Sequence, residues 1–235
     1  MMNPYIELLA HFGIGGAHPG GFSLTQTIFD SEQIEPQWNV LDIGCGTGQT
    51  ASFLKKQFQC NVMAIDLNPM MIKKAKRRFV REGLDIKAVL GDVQNMKFND
   101  DTFDFILSES VISFTNIKKT LKELVRVLQK EGSMIMIEMT AEQSLSDEVK
   151  DKIVKLYGIG DVLTESEWIA HLHEAGFKKV KEILTPPLLL PSDLEDIDQS
   201  ENIPILFYDL WDEHSRFIEE NNDLLGYRAF KCYLS

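Results

Sequence analysis

Basic residues are in short supply in this chain: 24 Lys plus Arg stand against 36 Asp plus Glu, a formal net charge of −12. A nucleic-acid surface needs a basic footprint that displaces counterions from phosphates, so the charge balance argues against such a partner. Cysteine is scarce as well. Cys45, Cys60 and Cys232 are odd in number, widely spaced and without a C-x-x-C pair, which argues against a disulfide framework, a zinc site or a redox motif and for a reducing compartment. No apolar run approaches the roughly 18 residues of a membrane span. The segment MMNPYIELLAHFGIGG has neither the basic stretch nor the continuous apolar stretch of a secretory leader. The expectation is a cytoplasmic protein with no membrane partner and no metal. Internal repeats are lacking, and the one biased tract is acidic (Asp193, Glu195, Asp196, Asp198, Glu201).

What is present is ordinary globular material: 235 residues, 44% apolar and 26% charged, enough for one large core without staples. Short apolar runs recur at 39–44, 61–66, 86–91, 103–108 and 133–139, each bounded by Gly, Asn, Asp or Ser. Nearly continuous apolar runs suit strands covered on both faces. The segments between them are long enough for helices. The clearest is 116–130, where Ile117, Leu121, Leu124, Val125 and Leu128 keep helical spacing. Strand and helix in alternation imply a parallel α/β sheet with right-handed crossovers. Beyond residue 140, helices are expected at 144–158, at 164–176 with a Thr164/Glu167 capping box, and at 205–220. Strands are expected at 177–184 and 227–234, and prolines and acids break regular structure between 185 and 204.

The chemistry is concentrated in VLDIGCGTGQ (40–49), an apolar strand that runs through Asp42 into Gly44, Gly46 and Gly48 and then a helix. Glycines there allow positive φ and close approach of the backbone to a ligand, and the helix start offers free N–H groups. A dinucleotide-binding G-x-G-x-x-G turn opens similarly, but Gln49 stands where its third glycine would fall, and Asp42 suits a cationic group better than a pyrophosphate. Asp66 ends the second strand, placed to accept hydrogen bonds from the ribose hydroxyls of an adenosine ligand. Asp92 and the Val93 backbone, in GDVQN, come to the same crevice, where an adenine edge can be read. Three strand ends converge on a nucleoside-sized site.

These residues resemble the class I S-adenosylmethionine-dependent methyltransferases. The likeness runs motif by motif over roughly residues 37–140: VLDIGCGTG, AIDLNPMMIKKA, GDVQNMKF, FDFILSESVISF and LQKEGSMIMIEM; TESEWIAHLHEAGFKKVKEI resembles the family's late helix and sixth strand. The resemblance implies a Rossmann-like, mostly parallel seven-stranded sheet of order 3-2-1-4-5-7-6 with the last strand antiparallel. It implies S-adenosyl-L-methionine as cofactor. Asp42, Gly44, Cys45 and Gly46 would line its methionine part and Asp66 its ribose. Leu67 and Met71 would meet the adenine faces, Asp92 and Val93 the adenine edge, and the Ser108 carbonyl the amino group. The expected domains are a lid and helix at 1–36 and a methyltransferase domain at 37–235 with a cap-like insertion at about 186–225.

The sulfonium methyl is already activated, so such a protein must align a nucleophile and exclude water. Candidates for direct participation are His18 and Glu109, then His11, and after them Tyr208 and His214. His18 lies in FGIGGAHPGGFSLTQ (12–26), whose five glycines suit a loop folding over the cofactor ahead of a helix near Ser23. Specificity should come from residues 1–36 and 141–226. There Pro186, Pro187, the apolar 188–191 and the helix with Phe207, Tyr208 and Trp211 can form an aromatic wall, a cover for the sheet or a dimer face. The expected activity is methyl transfer to a small-molecule acceptor by a monomer or homodimer. The alternatives are a non-catalytic regulatory protein that binds the cofactor or another nucleotide, and a methyltransferase acting on protein or RNA. SESV at the end of the fourth strand, in place of an Asn-Pro-Pro-Tyr type motif, weakens methylation of base or glutamine amino groups.

Overall fold

The computed structural model describes residues 3–184, 196–221 and 223–235. Pro186, Pro187, the run 188–191, Asp193 and Glu195 lie outside the described residues. Seven strands are formed: β1 (Asn39–Ile43), β2 (Asn61–Asp66), β3 (Lys87–Leu90), β4 (Phe103–Glu109), β5 (Leu128–Ala141), β6 (Lys179–Leu184) and β7 (Leu225–Tyr233). They make one sheet in the order β3-β2-β1-β4-β5-β7-β6. β1 to β5 pair in parallel, whereas β7 runs antiparallel to both β5 and β6. This is the order and polarity that the sequence resemblance implies.

The helices are α1 (Pro4–Phe12), α2 (Gly21–Phe29), α3 (Gln49–Phe58), α4 (Pro69–Glu82), α5 (Ile117–Val127), α6 (Asp147–Tyr157), α7 (Glu165–Ala175) and α8 (Ile205–Glu220). Local chemistry explains their limits. The Asn68 side chain accepts from the Met70 and Met71 N–H groups and Pro69 follows it, so α4 starts there. Thr164 and Glu167 form the expected capping box of α7. The expected helix at 116–130 ends at Val127 instead. The carbonyls of Arg126 and Val127 accept from the Asp101 and Thr102 N–H groups, and the chain passes directly into β5. The N-terminal region holds two helices where one was expected, because Asn3 caps Tyr5 N and Pro4 opens α1.

Two apolar clusters cover the two faces of the sheet, one through Val40, Phe105 and Ile135, the other through Leu41, Ile106, Met134 and Trp168. A third cluster joins α1, α6 and α8 through Leu8, Leu9, Ile153, Tyr157 and Phe207, with Met71 of α4 added. Ile14 and Ile197 form an isolated antiparallel bridge; Gly15 N–H donates to Asp196 O, Asp198 N–H to Gly13 O, and Ser200 N–H to His11 O. The N-terminal segment is thereby stitched to the chain that leads into α8. No helix among the described residues is long and apolar enough to cross a membrane.

Candidate active site

The carboxyl ends of β1, β2, β3 and β4 lie side by side, and the order reverses between β1 and β4, where open α/β sheets form ligand crevices. A cavity of about 380 Å³ occupies this position. Its wall includes Asp42, Gly44, Cys45, Gly46, Asp66, Leu67, Asp92, Val93, Glu109 and His18. Ten of the residues expected from the sequence are thus brought together. Two are not on this wall: Met71 packs in the α1/α6/α8 cluster, and Ser108 lies fully buried in β4, in register with Ile43 and Met136.

The turn after β1 is built for close approach. Gly46 has φ +52°, and a Cβ there would meet no protein atom within 4 Å, so the position faces open space. Gly48, at φ +79°, is required for packing instead, since a Cβ would come 2.7 Å from the Phe79 ring. Asp66 braces this turn: its Oδ2 accepts from Gly46 N–H at 2.9 Å and its Oδ1 from Asn68 N–H at 2.7 Å. Asp92 accepts from the Gln94 N–H at 2.8 Å. Leu67 is 58% exposed on the cavity rim, an apolar surface with no protein cover.

Negative charge is concentrated at the floor. Asp42 is 2% exposed and its Oδ2 has no hydrogen-bond partner. Burial pushes its carboxyl well above the usual range, the Glu109 and Asp66 carboxylates push the same way, and the Ala51 backbone N–H opposes them. Burial likewise raises Asp66, against hydrogen bonds from Asn68, Gly46 and Leu67. An uncompensated acid facing two others in a cavity is a socket for a cation. Cys45, raised far above the usual thiol range by burial and then by Asp66 and Asp42, stays protonated and offers no nucleophile.

Glu109 ends β4 and is fully engaged. Its Oε1 accepts from Thr25 Oγ1 at 2.5 Å and its Oε2 from Thr50 Oγ1 at 2.8 Å. His18, 3% exposed, sets Nε2 at 3.1 Å from Thr25 Oγ1 and 3.4 Å from Glu109 Oε1, and Nδ1 at 3.1 Å from Pro19 O. The glycine-rich segment, α2, α3 and β4 therefore meet at one carboxylate.

A second cavity, of about 300 Å³, adjoins the first, and Ile6, Leu9, Ile14, Ala17, His18, Ser110 and Phe114 line both. Its outer wall carries Tyr5, Tyr157, Trp211 and His214, with Glu138 and Glu219. Tyr5 and Tyr157 meet edge to face at 4.9 Å, and Trp211 tilts over His214 at 5.4 Å. His214 Nδ1 lies 3.0 Å from Tyr157 Oη, and burial lowers its imidazole to about 4. Burial raises Glu138 to about 7, although Val111, Ile112 and Ser113 donate to it. Among the earlier candidates, His11 packs on Phe207 and the half-exposed Tyr208 on Phe12; neither lines either of these two cavities. Among the described residues no group of three or more metal-ligating side chains is present.

Ser110 escaped the sequence reading. It has φ +54°, a left-handed backbone unusual for serine, its Oγ has no hydrogen-bond partner, and it stands at the seam of the two cavities. Thr25 and Thr50 were missed too, since nothing near them in sequence announces that they converge on Glu109.

Comparison with known proteins agrees with this geometry. Residues 41–136 match the family model described as a methyltransferase domain. The chain is 34% identical to the uncharacterized methyltransferase YodH of Bacillus subtilis over 99% of this chain and 100% of that one. It is 29% identical to the sterol 24-C-methyltransferase erg-4 of Neurospora crassa over 63% of this chain and 41% of that one. Phosphoethanolamine N-methyltransferase 2 of Haemonchus contortus, solved with phosphomonomethylethanolamine and S-adenosylhomocysteine, superposes with TM-score 0.74 at 17% identity, over 96% of this chain and 56% of that one.

Proposed function

The chain belongs to the class I S-adenosylmethionine-dependent methyltransferases, and from that premise we propose that it methylates an apolar small molecule, with S-adenosylmethionine in the first cavity and the acceptor in the second. The observation that carries this reading is the seam: two cavities at the carboxyl ends of the strands share one wall, so a methyl group at their junction is reached from the acceptor side without crossing water.

The residues of the first cavity fit the cofactor. Asp42 offers a buried, unpartnered carboxylate oxygen to a cationic ligand, and Gly46 leaves open space where a side chain would intrude. When bound, the cofactor supplies a methyl group already activated on sulfonium sulfur. In this reading Asp42 and the backbone of Gly44, Cys45 and Gly46 hold the methionine part. Asp66 takes the ribose hydroxyls, Leu67 covers an adenine face, and Asp92 and the Val93 backbone take the adenine edge. His18 and Glu109 position: through Thr25 and Thr50 they tie the glycine-rich segment down onto β4 and place negative charge beside the transferred group. Residues 1–36 act as the lid, and the segment around α8 as the cap over the acceptor.

The three free, buried cysteines support a reducing, cytoplasmic setting, and the protein is read as a monomer or a homodimer. Calorimetric titration with S-adenosylmethionine, S-adenosylhomocysteine and NAD tests the cofactor assignment. Heat is expected with the first two and not with NAD, and no heat with the first pair would overturn the reading.

A further inference from the structure

The second cavity has a chemical bias of its own. No Lys or Arg is among the described residues that line either cavity. A carboxylate or phosphate acceptor there would lie against Glu138 and Glu219, with Glu109 in the adjoining cavity, and would find no countercharge. The basic rings present do not compensate, because His18 is set against Glu109 and His214 is kept neutral by burial. What the cavity offers instead is aromatic surface from Tyr5, Phe114, Tyr157 and Trp211, with Glu219 on the exposed rim and the unpartnered Ser110 Oγ at the seam. Ring faces and carboxylates attract cations.

The disposition of protons separates nitrogen from oxygen. A hydroxyl acceptor must lose its proton as it attacks, and Glu109, His18 and Glu138 already hold hydrogen-bond partners. Both Glu109 oxygens accept threonine hydroxyls, His18 has contacts at both ring nitrogens, and Glu138 accepts from three backbone N–H groups and the Ser113 hydroxyl. An uncharged amine needs no base in the transfer itself.

We infer that the acceptor is an apolar molecule bearing a basic amine, drawn into the Tyr5/Tyr157/Trp211 chamber and turned toward the first cavity by Ser110; the inference rests on the methyl-transfer reading above. The ammonium proton passes to water at the Glu219 rim before the nitrogen reaches the seam. There an N–H donates to Ser110 Oγ and the nitrogen lone pair forms the N–C bond. The C–S bond breaks with its electron pair passing to sulfur, so the positive charge moves from sulfur to nitrogen and no proton leaves in the step. The methylated ammonium forms among aromatic faces and carboxylates that favour it.

The test uses three probes of one shape, 3-phenylpropylamine, 3-phenylpropanol and 3-phenylpropionate, titrated into the full chain both free and saturated with S-adenosylhomocysteine. The amine should bind about tenfold more tightly than the alcohol, and the carboxylate more weakly than either. With S-adenosylmethionine labelled in its methyl group, label should appear in the amine. Trp211→Leu should weaken the amine about fivefold and leave the alcohol within about twofold. Equal binding of amine and alcohol, binding of the carboxylate as tightly as the alcohol, labelling of the alcohol in preference, or binding of none of the three would overturn the inference. Silence toward S-adenosylhomocysteine would count against the cofactor reading instead, and the titrations into the free chain would still score the amine preference.

Discussion

Asp42 shows how one residue can be poorly placed for stability and well placed for function. Burial, Glu109 and Asp66 all raise its carboxyl, so the folded chain holds that proton more tightly than the unfolded chain does. A raised carboxyl contributes stability below its unfolded value, and that contribution is lost as pH rises through the folded value, so near neutral pH ionised Asp42 is a cost. Asp42→Asn removes the charge and retains an oxygen for the Ala51 N–H. The ligand-free variant should melt a few degrees higher near neutral pH, while its affinity for S-adenosylmethionine falls about tenfold or more. Thermal melting with and without the cofactor checks both, and a lower melting point with unchanged affinity would remove Asp42 from the binding role. Of the site residues, Asp42 and Asp66 were legible because each stands in the last two residues of an apolar strand. Ser110 was not, because its backbone sign and its orphaned hydroxyl arise only where β4 turns toward the second cavity.

Among the elements, the turn from β1 into α3 separates binding from packing within three residues. Gly48→Ala would drive a Cβ into Phe79, whereas Gly46→Ala meets only the left-handed backbone penalty. Gly46→Ala should therefore cost about 1 kcal/mol of stability in urea unfolding, yet lower S-adenosylhomocysteine affinity by about tenfold, because its methyl enters the space reserved for ligand. Affinity within twofold of the parent, read by titration calorimetry, would show that the turn does not approach the cofactor. Strands were legible as elements since both faces are buried and the runs are almost wholly apolar. The end of α5 was not, since its last carbonyls are claimed by Asp101 and Thr102 from the preceding loop, a competition no helical periodicity records.

For the whole molecule, the surplus of acids has two destinations. Part of it is the floor of the cofactor cavity, and part ties α4 to the chain that enters α8: Arg78 pairs with Asp196 and Arg77 with Asp198. The net charge of −12, with the exposed Glu219 on the rim of the second cavity, favours the approach of a cation over that of an anion. For an amine acceptor, kcat/KM should fall severalfold as salt rises from about 0.05 M to about 0.3 M, while kcat stays flat, since screening acts on encounter and not on the bound state. Initial rates across that series check it, and an increase with salt would contradict a negatively charged approach.

Composition, the apolar runs and the D-x-G-x-G-x-G turn determined by themselves the α/β class, the strand order through resemblance, and the cofactor. All of these depend on local pattern and on residues that end strands. Tertiary structure alone decided the acceptor side. The chamber is assembled from α1, β5, α6 and α8, elements far apart in sequence; the sequence marks the α8 aromatics alone as a possible wall, and not their partners Tyr5 and Tyr157. Their convergence beside a seam that has no Lys or Arg among the described residues is what the inference of a cationic acceptor rests on.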